Sequence, residues 1–355
     1  MGKRVRSDDL LVERRGAAGV ITLNRPHALN AVSLAMVREL TRQLAQWETD
    51  PAVSRVIVAS NDARAFSAGG DLRALYDLGR AGRYDEMLGF FREEYALNAR
   101  IKRYGKPYVA LIDGIVMGGG VGISVHGSHR IAGDKFTFAM PEVGIGFFPD
   151  VGGTFFLPRL PGRIGIYCAL TGERLSAADA VAAGVATHRV PSAQFPSLIE
   201  ALCRVVPVDV SLAEFAQPPA SGAVAARAAT IEALFGADRI EDILAALDGQ
   251  GAAGGADAGF AAATAALIRS KSPTSLKIAL EQIRCGATLD FSECMRTEFR
   301  IVSRVVRGHD FYEGVRAVII DKDQAPHWQP STLGAVSASE IERHFAPLAS
   351  ELELP

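Results

Sequence analysis

"PYVALIDGIVMGGGVGISVHGSHRIAG", from Pro107 to Gly133, decides the fold. It opens on a β-rich apolar run, passes through three consecutive glycines, and closes on a second short apolar run. The spacing predicts strand, glycine-rich turn, helix and strand. Its neighbours continue the alternation. "GVITLNRP" is a short β-rich run stopped by Pro26, and "VSRVIVAS" is a β-branched strand. Between them "LAMVRELTRQLAQWETD" has helical spacing. Leu34, Val37, Leu40, Leu44 and Trp47 share one face, with Ser33 as N-cap. "KFTFAMPEV" adds another strand on the C-terminal side. Strands alternating with helices predict an α/β (α+β) core.

The chain has 355 residues, 48% hydrophobic and 22% charged, which suits one large globular domain or two smaller ones. A formal net charge of -2 gives no overall basic field for nucleic acid or anionic membrane. Cys168, Cys203, Cys285 and Cys294 form no CxxC pair, so neither a disulfide framework nor a zinc site is expected. No apolar run reaches the length of a membrane span. The start, "MGKRVRSDDLLVERRG", is charged, and the expected localisation is cytoplasmic. Beyond residue 205 the composition shifts. "AEFAQPPASGAVAAR" and "GQGAAGGADAG" read as linkers, set among helical patterns such as "FSECMRTEFRIVSRVV". Residues 1–205 are therefore expected to form the α/β core and 206–355 a helical C-terminal region.

Four segments carry candidate chemistry. "MGGGVG", Met117 to Gly122, lets another molecule approach the backbone at a helix N-terminus, where free N–H groups attract negative charge. It fits neither a dinucleotide fingerprint nor a phosphate-binding loop, and tight helix–strand packing explains it equally well. "AFSAGGDL", Ala65 to Leu72, resembles a nucleophile elbow with Ser67 as nucleophile and His126, His129 or His188 as base. The alternative is that Gly70 supplies a free N–H, which with a donor from the other glycine turn makes an oxyanion hole. The third segment, "MPEVGIGFFPDVGGTFFLPRL", is apolar except for Glu142, Asp150 and Arg159. Glu142 and Asp150, each preceded by a proline, form a candidate acid–base pair with pKa values raised by apolar surroundings. Alternatively, one of them pairs with Arg159 or Arg163 for structure alone. In "FFREEYALN", Glu93 and Glu94 point about 100° apart on a helix, so that one can be solvated while the other turns inward.

Together these segments resemble the crotonase (enoyl-CoA hydratase/isomerase) superfamily, over roughly Leu11 to Val190. "FFREEYALN", "SVHGSHRIA", "MPEVGIGFFPDVGGTFFLPRL", "KSPTSLKIALEQI" and "RGHDFYEGVRAVIIDKDQAPHW" are similar to its branch that hydrolyses 3-hydroxyisobutyryl-CoA in valine breakdown. The resemblance implies a spiral of ββα turns followed by a helical region. It implies a thioester carbonyl held by the N–H groups of Gly70 and Gly119, and catalysis by Glu142 and Asp150. Substrate binding falls to Glu94, Gly119, Glu142 and Asp150. Hydratase members carry a Glu where this chain has Gly122, and usually a Gly where it has Asp150. The expected partner is an acyl-CoA substrate, whose coenzyme A is no cofactor. No metal, nucleic acid or membrane is expected, and self-association is allowed. A hydratase or isomerase, and a serine hydrolase using Ser67, are the alternative readings.

Overall fold

A computed structural model of the chain describes residues 8–218 and 220–354. The charged start therefore lies partly outside the described residues. Among the described residues, ten strands form two sheets. The six-stranded sheet runs β1-β2-β3-β5-β7-β10, from β1 (Leu10–Arg15), β2 (Ala18–Leu23), β3 (Arg55–Ser60), β5 (Tyr108–Ile112), β7 (His129–Ala132) and β10 (His188–Arg189). The four-stranded sheet runs β4-β6-β8-β9, from β4 (Ala65–Ser67), β6 (Ile115–Met117), β8 (Thr137–Ala139) and β9 (Leu175–Ser176). Pairing is parallel except for β1 with β2 and β8 with β9.

The connectivity is a spiral. Strands β3, β5 and β7 enter the larger sheet, and β4, β6 and β8 follow each of them into the smaller one. Helical segments then carry the chain back: α2 (Leu72–Arg80) and α3 (Tyr84–Lys102) after β4, and α4 (Gly119–Gly122) after β6. The ββα spiral expected of the family is thus present. Helix α1 (Leu34–Thr49) forms as its sequence predicts. Ser33 Oγ accepts from the Met36 N–H, and Val37, Leu40, Leu44 and Trp47 are buried. The helix expected after "MGGG" is a single turn, because glycine adds no side chain to stabilise a longer one.

Beyond β10 the regular elements are helical. "GQGAAGGADAG", expected to be a linker, is helical as far as Ala253 in the helix Ile240–Ala253. Ile243, Leu244 and Leu247 bury against the core there, and that packing outweighs the cost of Gly249 and Gly251. The chain leaves the helix at Gly254 and Gly255, both with positive φ. The C-terminal helices share the main hydrophobic core with the sheets, which runs from Leu10 to Leu352. A second apolar layer packs Val20, Ile57, Val109 and Ile131 against Leu198, Leu202, Val208 and Leu212.

Candidate active site

Strands β4, β6 and β8 lie side by side and parallel, and all three lead into the same place. Gly69 and Gly70 follow β4, Gly118 and Gly119 follow β6, and Glu142 follows β8. The C-terminal edge of a parallel sheet is where open α/β folds place ligands. A cavity of about 70 Å³ opens there, lined by Gly70, Glu94, Gly119, Glu142 and Asp150 among others. The five residues expected from the resemblance are therefore neighbours, although they lie far apart in sequence.

The glycines are required by space and by backbone. Gly69 has φ 117° and Gly118 φ 43°, conformations that favour glycine. A Cβ on Gly119 would lie 2.7 Å from Glu94 Oε1 and 3.2 Å from the Gly70 nitrogen. Gly119 opens α4, so its N–H has no partner in the helix. Gly70 and Gly119 thus both line the one cavity.

Glu93 and Glu94 divide as the helix geometry allows. Glu93 accepts from Arg38 Nε at 2.8 Å at the surface, whereas Glu94 is 2% exposed. Glu94 Oε1 and Glu142 Oε2 are buried without a hydrogen-bond partner in the protein. Asp150 Oδ2 accepts from the Tyr95 hydroxyl at 2.9 Å. Arg159 does not neutralise either acid: it donates to the carbonyls of Phe155, Gly286 and Leu289. Burial first, and the Asp150 charge next, raise Glu142 and Glu94 well above the usual carboxyl range. Burial raises Asp150 to about 7, opposed by the Tyr95 hydrogen bond. Like charges in such a pocket cannot all ionise, so the acids share protons near neutral pH.

The structure arranges Ser67 differently from a nucleophile. It is fully buried, its Oγ donates to the Asn30 carbonyl at 2.8 Å, and none of the three candidate histidines is bonded to it. His126 is held neutral by burial, which lowers it to about 4, and donates Nε2–H to the Val151 carbonyl at 2.7 Å. His129 bonds Ser128 and Asp209, and His188 bonds Thr187. At Gly122 a Cβ would meet Asn98 Nδ2 and Val151 Cβ, each at 2.8 Å. The space a glutamate would need there is already filled.

Sequence reasoning did not single out Tyr95, Asn98, Gln282 or Glu298. Gln282 donates to the Pro149 carbonyl at 2.5 Å, beside Asp150. Glu298 is fully buried in the helix Phe291–Val305. It falls on that helix's apolar stripe with Cys294, Ile301 and Val302, and an acid on a buried stripe is the signal that could have revealed it. Among the described residues, no group of three or more His, Cys, Asp or Glu could hold a metal ion.

The spiral and its pocket define a class, and a model of the enoyl-CoA hydratase/isomerase family matches residues 18–345. The chain belongs to that family. It is 46% identical over 350 residues to the 3-hydroxyisobutyryl-CoA hydrolase of Danio rerio, covering 96% of this chain and 90% of that one. The human 3-hydroxyisobutyryl-CoA hydrolase is 42% identical over 97% of this chain and 90% of its own. Among solved structures, a carnitinyl-CoA dehydratase from Mycobacterium thermoresistibile has a TM-score of 0.92 at 40% identity, covering 98% of this chain and 99% of that one. An enoyl-CoA hydratase from Rhodobacter sphaeroides has a TM-score of 0.90 at 39% identity, covering 98% and 100%. The cytoplasmic expectation is overturned: both hydrolase relatives are labelled mitochondrial. That expectation rested on composition and unpaired cysteines, which do not separate the cytosol from other reducing compartments.

Proposed function

We propose that the chain hydrolyses the thioester of a short branched β-hydroxyacyl-CoA, 3-hydroxyisobutyryl-CoA first among them, to the free acid and coenzyme A. The observation that carries this reading is the placement of Glu142 and Asp150 on a cavity shared with the Gly70 and Gly119 backbones, with the space beside Gly122 filled. The carbonyl oxygen sits between the Gly70 and Gly119 N–H groups, which stabilise the negative charge it gains when the carbon is attacked. Glu142, in the form where the shared proton lies on Asp150, acts at that carbon, directly or by taking a proton from water. Asp150, protonated, gives its proton to the departing thiolate. Glu94, held neutral, hydrogen-bonds the substrate's β-hydroxyl. One water is consumed overall, and the products are a carboxylic acid and a thiol.

The names carried by the two solved structures suggest hydration instead. Gly122 argues against it, because the second carboxylate expected of a hydratase has neither a residue nor room. The deciding experiment offers 3-hydroxyisobutyryl-CoA and crotonyl-CoA separately, following free thiol and loss of the conjugated double bond. Thiol release from the first with little hydration of the second is expected. Fast hydration of crotonyl-CoA without thiol release overturns the reading.

A further inference from the structure

Asp150 sits in a turn that does not hold its own shape. Val151 has φ 51°, a conformation costly for a β-branched residue. Gly152 follows with φ 91°. Side chains from three separate segments fix this turn. Gln282 binds the Pro149 carbonyl, and His126 binds the Val151 carbonyl. Glu298 spans the far side: Oε2 accepts from the Gly152 N–H at 2.8 Å and Oε1 from the Thr154 N–H at 2.9 Å. Both oxygens of a fully buried carboxylate are thus spent on the backbone two and four residues beyond Asp150. A buried acid without an arginine or lysine partner is an expensive way to hold a turn, and an amide or hydroxyl would have cost less.

We propose that Glu298 is a positioning residue for Asp150: its carboxyl group clamps the Gly152 and Thr154 N–H groups and fixes the strained turn. The proposal rests on the reading that Asp150 acts on the substrate. The titratable groups coupled to this pair come from every neighbouring segment. They are Glu94 and Tyr95 on α3, Glu142 after β8, Cys285 on the helix Pro273–Gly286, and Cys294 one turn before Glu298. Burial and the Asp150 charge push Glu298 up to about 8, while the two backbone N–H groups pull it down.

The test measures kcat and KM for CoA release from pH 5 to 9, with melting temperatures, on the parent, Glu298→Gln, Glu298→Asp and Asp150→Asn. Glu298→Gln turns one acceptor into a donor facing an N–H and removes the charge. It should lower kcat by about 100-fold with little change in KM, the scale expected when a reacting group is misplaced by about 1 Å. Its high-pH limb should move to higher pH, because a displaced turn weakens the Tyr95 hydrogen bond that holds Asp150 down. Glu298→Asp keeps a carboxyl group but shortens the reach, so its kcat and the shift of its limb should both fall between the two. A merely structural glutamate would lower the melting temperature and leave the pH profile of the folded enzyme unchanged, and that result overturns the proposal. If Glu298→Gln does not fold, parent-like kcat in Glu298→Asp overturns it, as does failure of both variants to fold. Parent-like kcat in Asp150→Asn would instead overturn the reading beneath it.

Discussion

Two groups of acids in this chain have the same chemistry and opposite fates. Around the pocket, Glu94, Glu142, Asp150 and Glu298 are buried without a basic partner, and all four are raised. Around Arg316, the acids Glu313, Asp321 and Asp323 converge on one guanidinium, and chiefly the Arg316 hydrogen bond draws Glu313 down to about 2. The second group shows how a fold keeps acids when structure is the purpose: near the surface and held by arginine. The first departs from that pattern in burial, pairing and charge state together. Buried acids that must share protons are costly to stability, and they suit a site that has to take a proton from one place and deliver it to another.

The comparison breaks first at the level of rate. Glu142→Ala and Asp150→Asn should each lower kcat by about 10²–10⁴-fold, the range of general acid–base catalysis. The double variant should fall little further, because both would disable the same step. Losses that multiply independently in the double variant would separate the two acids and remove the shared proton.

A smaller effect sharpens the contrast through stability. Asp150 is raised in the folded state, so its contribution is fully present below the unfolded pKa near 4 and lost as pH rises through about 7. Asp150→Asn should therefore gain melting temperature relative to the parent between pH 5 and pH 8, worth on the order of 1–3 kcal/mol. Glu313 is depressed, so its contribution is present above the unfolded pKa and lost as pH falls toward about 2. Glu313→Gln should lose stability at neutral pH, by less than about 1 kcal/mol, and lose less as pH falls. Parallel pH trends in the two variants would count against the contrast.

What the sequence disclosed follows the range over which its signals act. The alternation of β-rich and helical runs is local, and it disclosed the mixed α/β core and the α1 face, while the ββα order came from the resemblance. The glycine turns and the two proline-preceded acids are also local, and the resemblance tied them to Glu94. The supports of Asp150 are not local. Tyr95 comes from α3, His126 from the segment after α4, and Gln282 and Glu298 from helices more than 120 residues beyond it. Spacing within one helix tells which face an acid occupies but not which turn of the chain meets that face. The same limit explains Ser67. Its short Ser/Gly pattern is real, but what its hydroxyl bonds is decided by Asn30, which lies before the strand in another loop. The Ala/Gly-rich stretch before Ala253 misled for the reverse reason, since weak local preference there is overruled by packing.

The central claim is that buried, unneutralised acids share a proton at the thioester. The dependence of kcat on pH for CoA release from 3-hydroxyisobutyryl-CoA tests it most directly. A bell-shaped profile is expected, with the falling limb set by loss of the Asp150 proton near pH 7 and absent from Asp150→Asn. A kcat that stays flat from pH 5 to 9 in the folded parent would contradict the account.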